Sequence, residues 1–309
     1  MRFVCYESAT GGRATGVLQD GNVVDVSDLL AAMAPDAAAR EALASRGIEP
    51  ATGGLMRWLQ AGDAARRQAA QLIRDRAASG DGAARLPLSG LRLQPPVARP
   101  GKIVGVGRNY ADHAKETGVA PFEKPRIIFK VSSSIAAPGA TVPKPQSVKK
   151  MDFEGELAVV MGRFATRVSA DEALDYVGGY TLLNDLSARE FQFDISPPQT
   201  TFAKSMDGFC PMGPALVTPE SLRDPQLLHL RTVVNGVVVQ DATTADMLFP
   251  VATLISYVSQ YMTLEPGDVL ATGTPAGIGA FRTPPSWLGA GDRIEISIDE
   301  IGTLLTIVG

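Results

Sequence analysis

The chain has 309 residues, 45% of them hydrophobic, 20% charged and only 6% aromatic, with a formal net charge of −4. That length and apolar fraction allow one large domain, or a large domain with a small companion, built on a real core. With no basic block and few aromatic rings, neither a phosphate-backbone footprint nor a base-stacking surface is available, and no nucleic-acid partner is expected.

In chain order, Phe3–Tyr6 and Gly16–Gln19 read as strands, and Asp20-Gly21 as the turn of a hairpin returning through Val23–Val26. The opening MRFVCYESATGG is strand and turn rather than a secretory leader. No apolar run approaches the ~20 residues that span a bilayer, so no membrane partner is expected. Ser27 reads as the N-cap of an alanine-rich helix through Met33, and a further helix is expected over Leu55–Ile73, with Trp58, Leu59 and Leu72 on its apolar side. Pro87, Pro95, Pro96 and Pro100 mark 81–101 as a linker between a small N-terminal α/β domain, 1–80, and a main domain, 102–309.

Beyond Lys102 the signal is mainly β. Ile103–Val106, Ile127–Val131, Leu157–Met161 and Tyr180–Leu183 are apolar runs of strand length, and Asn235-Gly236 is a two-residue hairpin turn. Ile294, Ile296 and Ile298 alternate with polar residues, the period of a half-buried strand. The regular strand–helix alternation of a doubly wound sheet is missing, so the expected class is α+β and rich in strands, with short helices.

Scarce metal-binding side chains narrow the chemistry. Cys5 and Cys210 allow at most one disulfide and no zinc spacing, which suits a reduced cytoplasm. Only two histidines exist, His113 and His229, so a metal site must lean on carboxylates. Such a site favours hard ions: Mg²⁺, Mn²⁺ or Ca²⁺.

Four segments could carry a reaction. In Asp152-Phe153-Glu154-Gly155-Glu156, strand alternation points Glu154 and Glu156 the same way, into an apolar run. Paired acids at a core edge repel unless a cation or proton lies between them, although an E-x-E pair alone is often a solvated strand end. Tyr180–Asn184 reads as a buried strand ending at Asp185; if Asp185 opens a helical turn, Arg189 and Gln192 fall on its face. In Gly105–Glu116, Tyr110 spoils a dinucleotide fingerprint, but His113 and Glu116 are helical neighbours, suited to a general base or to a plain surface contact. Finally, Gly273 and Thr274 stand on a glycine-rich loop able to bind oxyanions, or simply to turn. Lys204 has Phe202, Ala203 and Met206 for company, which argues against an exposed lysine.

The stretches GVGRNYADHAKE, FEGELAVVMGR, GGYTLLNDLSAREFQ, AKSMDGFCPMGP and LEPGDVLATGTPAGIG, in this order, resemble the fumarylacetoacetate hydrolase superfamily. Within it they resemble the acylpyruvate hydrolases and 2-hydroxyhepta-2,4-diene-1,7-dioate isomerases. The resemblance spans about Lys102 to Val308 and implies a mixed β-roll, or pseudo-barrel, in a homodimer. It implies Glu154, Glu156 and Asp185 as ligands of Mg²⁺ or Mn²⁺, and a His113–Glu116 dyad on a lid that orders over substrate. It further implies that Arg189 and Gln192 hold substrate or water, that Lys204 and the Gly273–Thr274 turn meet developing negative charge, and that Lys130 assists them.

The function expected is metal-dependent hydrolysis of a carbon–carbon bond in an acylpyruvate, with His113 activating water and Lys204 neutralising charge. A decarboxylase or isomerase of 2-oxo or 2-hydroxydienoic acids from aromatic catabolism would use the same residues. A ligand-binding protein that kept the fold without chemistry is a third reading, disfavoured by the retention of three acids, His113, Glu116 and Lys204.

Overall fold

The computed structural model describes residues 1–79, 84–116, 118, 120, 122–222 and 224–309. The chain begins with a meander of β1 (Arg2–Glu7), β2 (Arg13–Gln19) and β3 (Asn22–Asp25), followed by α1 (Ser27–Ala32), α2 (Ala37–Ala44), α3 (Gly54–Gln60) and α4 (Asp63–Ser79). Then come β4 (Arg85–Pro87), β5 (Leu93–Gln94), β6 (Ile103–Gly107), α5 (Ala111–Glu116), β7 (Arg126–Lys130), β8 (Ile135–Ala136), β9 (Thr141–Val142) and β10 (Met151–Asp152). The next elements are β11 (Gly155–Met161), β12 (Val177–Asn184), β13 (Ser187–Ala188), α6 (Glu190–Phe193), α7 (Thr200–Ala203) and β14 (Cys210–Val217). The chain closes with β15 (His229–Val234), β16 (Val237–Thr243), α8 (Val251–Ser259), β17 (Val269–Ala271), β18 (Arg293–Ile298) and β19 (Gly302–Val308).

Both expected hairpins form for the expected reason. Asp20 and Gly21 have φ of 49° and 76°, and Asn235 and Gly236 of 50° and 82°, the left-handed pair that a two-residue turn requires. The helices depart from expectation in two places. Ser27 does not cap α1; its hydroxyl is exchanged with Thr15 of β2 instead. The stretch Leu55–Ile73 is two helices, broken at Gly62 (φ 80°), where Asp36 intervenes. That carboxylate accepts from Ala39 N–H at 3.0 Å and Ala64 N–H at 3.2 Å, serving the starts of α2 and α4 together.

The wide sheet runs β4-β3-β2-β1-β14-β12-β11-β17-β6-β7, and a second, five-stranded sheet runs β16-β15-β18-β19-β9. No barrel closes. The N-terminal meander joins the wide sheet directly, with Phe3 opposite Leu216 of β14. Within the stretch read as a linker, Leu86 of β4 pairs with Val23 and Leu93 of β5 with Tyr6, adding hydrogen-bonded strands around the meander. The remainder of that stretch includes 81–83, outside the described residues.

Strand β11 is buried along its whole length, because both faces of the sheet are covered. Leu157, Val159 and Met161 face a core shared with Ile294, Ile296 and Leu304 of the second sheet. Ala158 and Val160 face the other way, into a core with Phe3, Trp58, Leu59 and Ile73. Residues of Glu156's parity thus point to the side that carries the N-terminal helices. Among the described residues, no helix is long and apolar enough to cross a membrane.

Candidate active site

At the end of β11 and β12 the chain gathers its acids. Gly155 pairs with Asn184, which sets Glu154 and Glu156 beside Asp185, and Asp185 N–H donates to the Glu154 carbonyl at 2.9 Å. One carboxylate oxygen from each of Glu154, Glu156 and Asp185 lies within 4.8 Å of the others, and all three residues are buried. Asp185 does not open a helical turn. It is followed by the short strand β13, and Arg189 precedes α6, yet Arg189 and Gln192 still line the same cavity.

Three buried cations surround these acids. The Lys204 ammonium donates to Asp185 at 2.6 Å, Ser187 Oγ at 2.8 Å and Glu154 at 3.0 Å. Lys130 donates to the other oxygen of Asp185 at 2.6 Å and to the Lys204 carbonyl, so it positions Lys204 as well as Asp185. Arg189 bridges Glu154 at 2.7 Å and Asp152 at 2.9 Å, and donates to Gln192 Oε1 at 2.8 Å. Burial opposes charge on Glu154, but Lys204 and Arg189 outweigh it and hold its carboxyl well below the usual range.

Glu156 is the exception. It accepts the Gly273 N–H at 2.8 Å, and among the described residues no lysine or arginine forms an ion pair with it. Burial, then the charges of Asp185 and Glu154, push its carboxyl well above the ordinary value. With Glu156 ionised, Asp152, Glu154, Glu156 and Asp185 would outnumber Lys130, Lys204 and Arg189 by one buried negative charge. An all-oxygen donor set with surplus negative charge fits a hard divalent cation, which would be held by Glu154, Glu156 and Asp185.

The opposite wall carries the dyad. His113 Nδ1 lies 2.7 Å from Glu116 Oε1, and Glu116 Oε2 accepts the Gly277 N–H at 3.0 Å. The His113 ring packs edge-on to Phe281, 6.1 Å between centroids. The pair that the resemblance puts on a substrate-covering lid is formed here, and the Gly277 N–H holds the second carboxylate oxygen of Glu116. Gly277 has φ 106°, and a Cβ there would collide with the Val239 carbonyl, so only glycine lets the loop come this close. The glycine-rich loop commits donors to the protein itself: Gly273 N–H to Glu156, Gly277 N–H to Glu116, Gly279 N–H to Asp152, and the Thr274 hydroxyl to the Gly155 carbonyl at 2.9 Å. Thr274 nonetheless lines the cavity, as do His113, Glu154, Asp185, Arg189, Gln192 and Lys204. The cavity volume is about 270 Å³.

The family model for the C-terminal domain of fumarylacetoacetate hydrolase matches residues 102–308. The chain belongs to the fumarylacetoacetate hydrolase family. It is 44% identical to the human mitochondrial oxaloacetate tautomerase FAHD2A over 223 residues, 72% of this chain and 71% of that protein. It is 43% identical to the oxaloacetate tautomerase YisK of Bacillus subtilis over 226 residues, 72% of this chain and 74% of that one. Among solved structures it resembles the fumarylacetoacetate hydrolase of Exiguobacterium antarcticum, with TM-score 0.76, 34% identity and coverage of 100% and 99% of the two chains. The maleylpyruvate hydrolase of Sphingobium sp. SYK-6, solved with manganese(II) and pyruvate, matches with TM-score 0.74, 28% identity and coverage of 100% and 98%.

Several residues that hold this family site together were not singled out from sequence. Asp152 accepts from Gly279 N–H at 2.8 Å and Ala280 N–H at 3.1 Å besides Arg189, tying the glycine-rich loop to the acids. Asn109 pins the turn after β6 through Thr272 O at 2.8 Å and Phe249 N–H at 2.9 Å. Gln240 donates to Thr274 Oγ1 at 2.8 Å. The only available signal was a polar side chain beside a recognised motif, and that does not reveal a distant backbone partner.

Proposed function

We propose that this site interconverts the keto and enol forms of a small 2-oxo acid, with oxaloacetate the reference substrate. The observation that carries the reading is the pairing of a formed His113–Glu116 dyad with a buried acid cluster across one small cavity. In the keto-to-enol direction a proton leaves C3 and one is gained at the 2-oxygen; no bond between heavy atoms breaks and no water is consumed. Glu116 holds Nδ1 of His113, leaving Nε2 as the atom that takes the C3 proton and returns it. Lys204, an ammonium already held among acids, meets the negative charge that grows on the oxygen. Arg189 and Gln192 orient the proximal carboxylate. A divalent cation, Mg²⁺ or Mn²⁺, would supply electron withdrawal at the 2-oxygen. Two relatives above 40% identity bear the oxaloacetate tautomerase name, which supports this reading.

Hydrolysis of an acylpyruvate is the second reading, favoured by the same dyad, since a base that accepts a carbon-bound proton can also activate water. Decay of the enol absorbance of oxaloacetate, measured with Mn²⁺ and after chelation, tests the first reading; pyruvate release from a 2,4-dioxo acid tests the second. Acceleration of neither would overturn both. The cysteines are free and buried, in keeping with a reducing compartment such as the cytoplasm, and we propose a homodimer, checkable by sedimentation.

A further inference from the structure

Strand β7 lies along the cavity and alternates across the sheet. Ile127 and Phe129 pack against the core between the sheets, whereas Arg126, Ile128 and Lys130 share the opposite face. Lys130 reaches Asp185 at the acid end. Arg126 lies four residues back along the same face, roughly 13 Å at about 3.3 Å per residue. The strand therefore runs from the cavity wall, which Arg126 and Ile128 line, to the acid cluster that Lys130 holds from behind.

The neighbouring strand leaves the space above it open. Gly105 stands opposite Ile128 and Gly107 opposite Arg126, and both glycines line the cavity. A Cβ at Gly107 would come within 3.0 Å of Ile128 Cδ1 and 3.5 Å of Arg126 Cδ. Arg108 follows with φ 57°, a conformation that a non-glycine residue seldom adopts and that persists only where its surroundings impose it. Asn109 imposes it through its three bonds to Phe249 and Thr272.

Both guanidiniums lean on one ring, with Arg108 at 5.6 Å and Arg126 at 5.9 Å from the Phe122 centroid. Among the described residues neither forms an ion pair, whereas Lys130, Lys204 and Arg189 at the acid end all do. Burial, then the Arg126 charge, lowers the Arg108 pKa from its ordinary value. Two like charges on one ring at a cavity wall are relieved by an anion between them, and guanidinium forks suit a carboxylate in particular.

We propose that Arg108 and Arg126 clamp a second, distal carboxylate of the substrate, making the site selective for 2-oxo dicarboxylates over 2-oxo monocarboxylates. The proposal rests on the 2-oxo acid reading given above and names the substrate class of that site. The proximal end engages the acid cluster; the distal end extends over Gly107 to the two arginines. Because the clamp acts on binding, its loss raises the concentration of dicarboxylate needed and leaves discrimination weak.

The test compares wild type, Arg126→Gln, Arg108→Gln and Arg126→Lys, each loaded with Mn²⁺. Calorimetric binding of oxaloacetate and of pyruvate is measured alongside tautomerisation of oxaloacetate. Wild type should prefer oxaloacetate by at least about 10-fold, and each glutamine variant should lose roughly 10-fold of that preference, within the worth of a charged hydrogen-bond pair. Arg126→Lys should recover part of it. Arg126 is exposed, so its replacement leaves the fold intact if Arg108→Gln does not. Should the variants keep the wild-type preference, or lose oxaloacetate and pyruvate binding equally, the clamp is overturned. A wild type that binds oxaloacetate preferentially without tautomerising it would refute the assigned reaction and leave the clamp standing.

Discussion

Two sets of charges face the same cavity and differ in how far the protein itself satisfies them. At the acid end, Lys204 alone makes three hydrogen bonds to side chains, and Arg189 is shared among Glu154, Asp152 and Gln192. At the arginine end, the two guanidiniums have, among the described residues, an aromatic ring and no ion-pair partner. A saturated cluster is costly to disturb and serves as scaffold as well as chemistry, whereas an unsaturated pair gains most from a ligand. Glu156 stands between the two cases, since it sits inside the saturated cluster without a cation of its own.

The sharpest way to break the contrast is at Glu156. Glu156→Ala should reduce activity to background while the thermal midpoint holds or rises, because it removes a proposed metal ligand together with a buried acid that no cation partners. Loss of folding, read by circular dichroism, would show instead that the acid is structural. Next comes His113→Ala, expected to lower turnover by roughly 10²- to 10⁴-fold, the usual contribution of a general base. Mn²⁺ affinity should change little, since the imidazole touches Glu116 and none of the three clustered acids; a large loss of affinity would contradict that geometry.

Asp152→Ala tests the scaffold without touching a proposed ligand. It strips Arg189 of a buried partner and frees the Gly279 and Ala280 N–H groups, so a loss of about 3–5 kcal/mol in denaturant unfolding is expected. The smallest effect is pH dependence in metal-free protein. The folded-state pKa of Glu156 lies above the unfolded value of 4.5, so its contribution to stability is complete below that pH and fades as pH rises through the raised value. Glu156→Gln should flatten that decline, and saturating Mn²⁺ should reverse it. An unchanged slope in the variant would mean that other groups set the dependence.

How much of this was legible follows from which interactions are local. Glu154 and Glu156 could be read because strand alternation and an apolar run are properties of adjacent residues. His113 and Glu116 could be read from helical spacing. Arg189 and Gln192 were placed by the wrong local structure, a helix from Asp185, yet they converge on the cavity through a short strand and a turn. Asp152 was missed because a buried acid announces itself only through partners far away, Arg189 and the Gly279 N–H. The alternation Arg126-Ile127-Ile128-Phe129-Lys130 was present in the sequence, but its meaning depends on glycines 105 and 107 lying opposite, and pairing between strands is not written in either strand alone. The β-rich class was legible from composition and periodicity; the union of the N-terminal meander with the wide sheet was not, since it depends on Phe3 meeting Leu216.

That last pairing carries a consequence for how the molecule is made. β1 leaves the ribosome before its partner β14, which emerges about two hundred residues later, roughly 10–40 s at 5–20 residues per second. Until then the apolar residues Phe3, Val4 and Cys5 have only the local meander and nearby helices to shelter them. Strand β1 thus waits long after its synthesis to reach its final place, and the nascent chain must carry that unfinished edge until β14 is made.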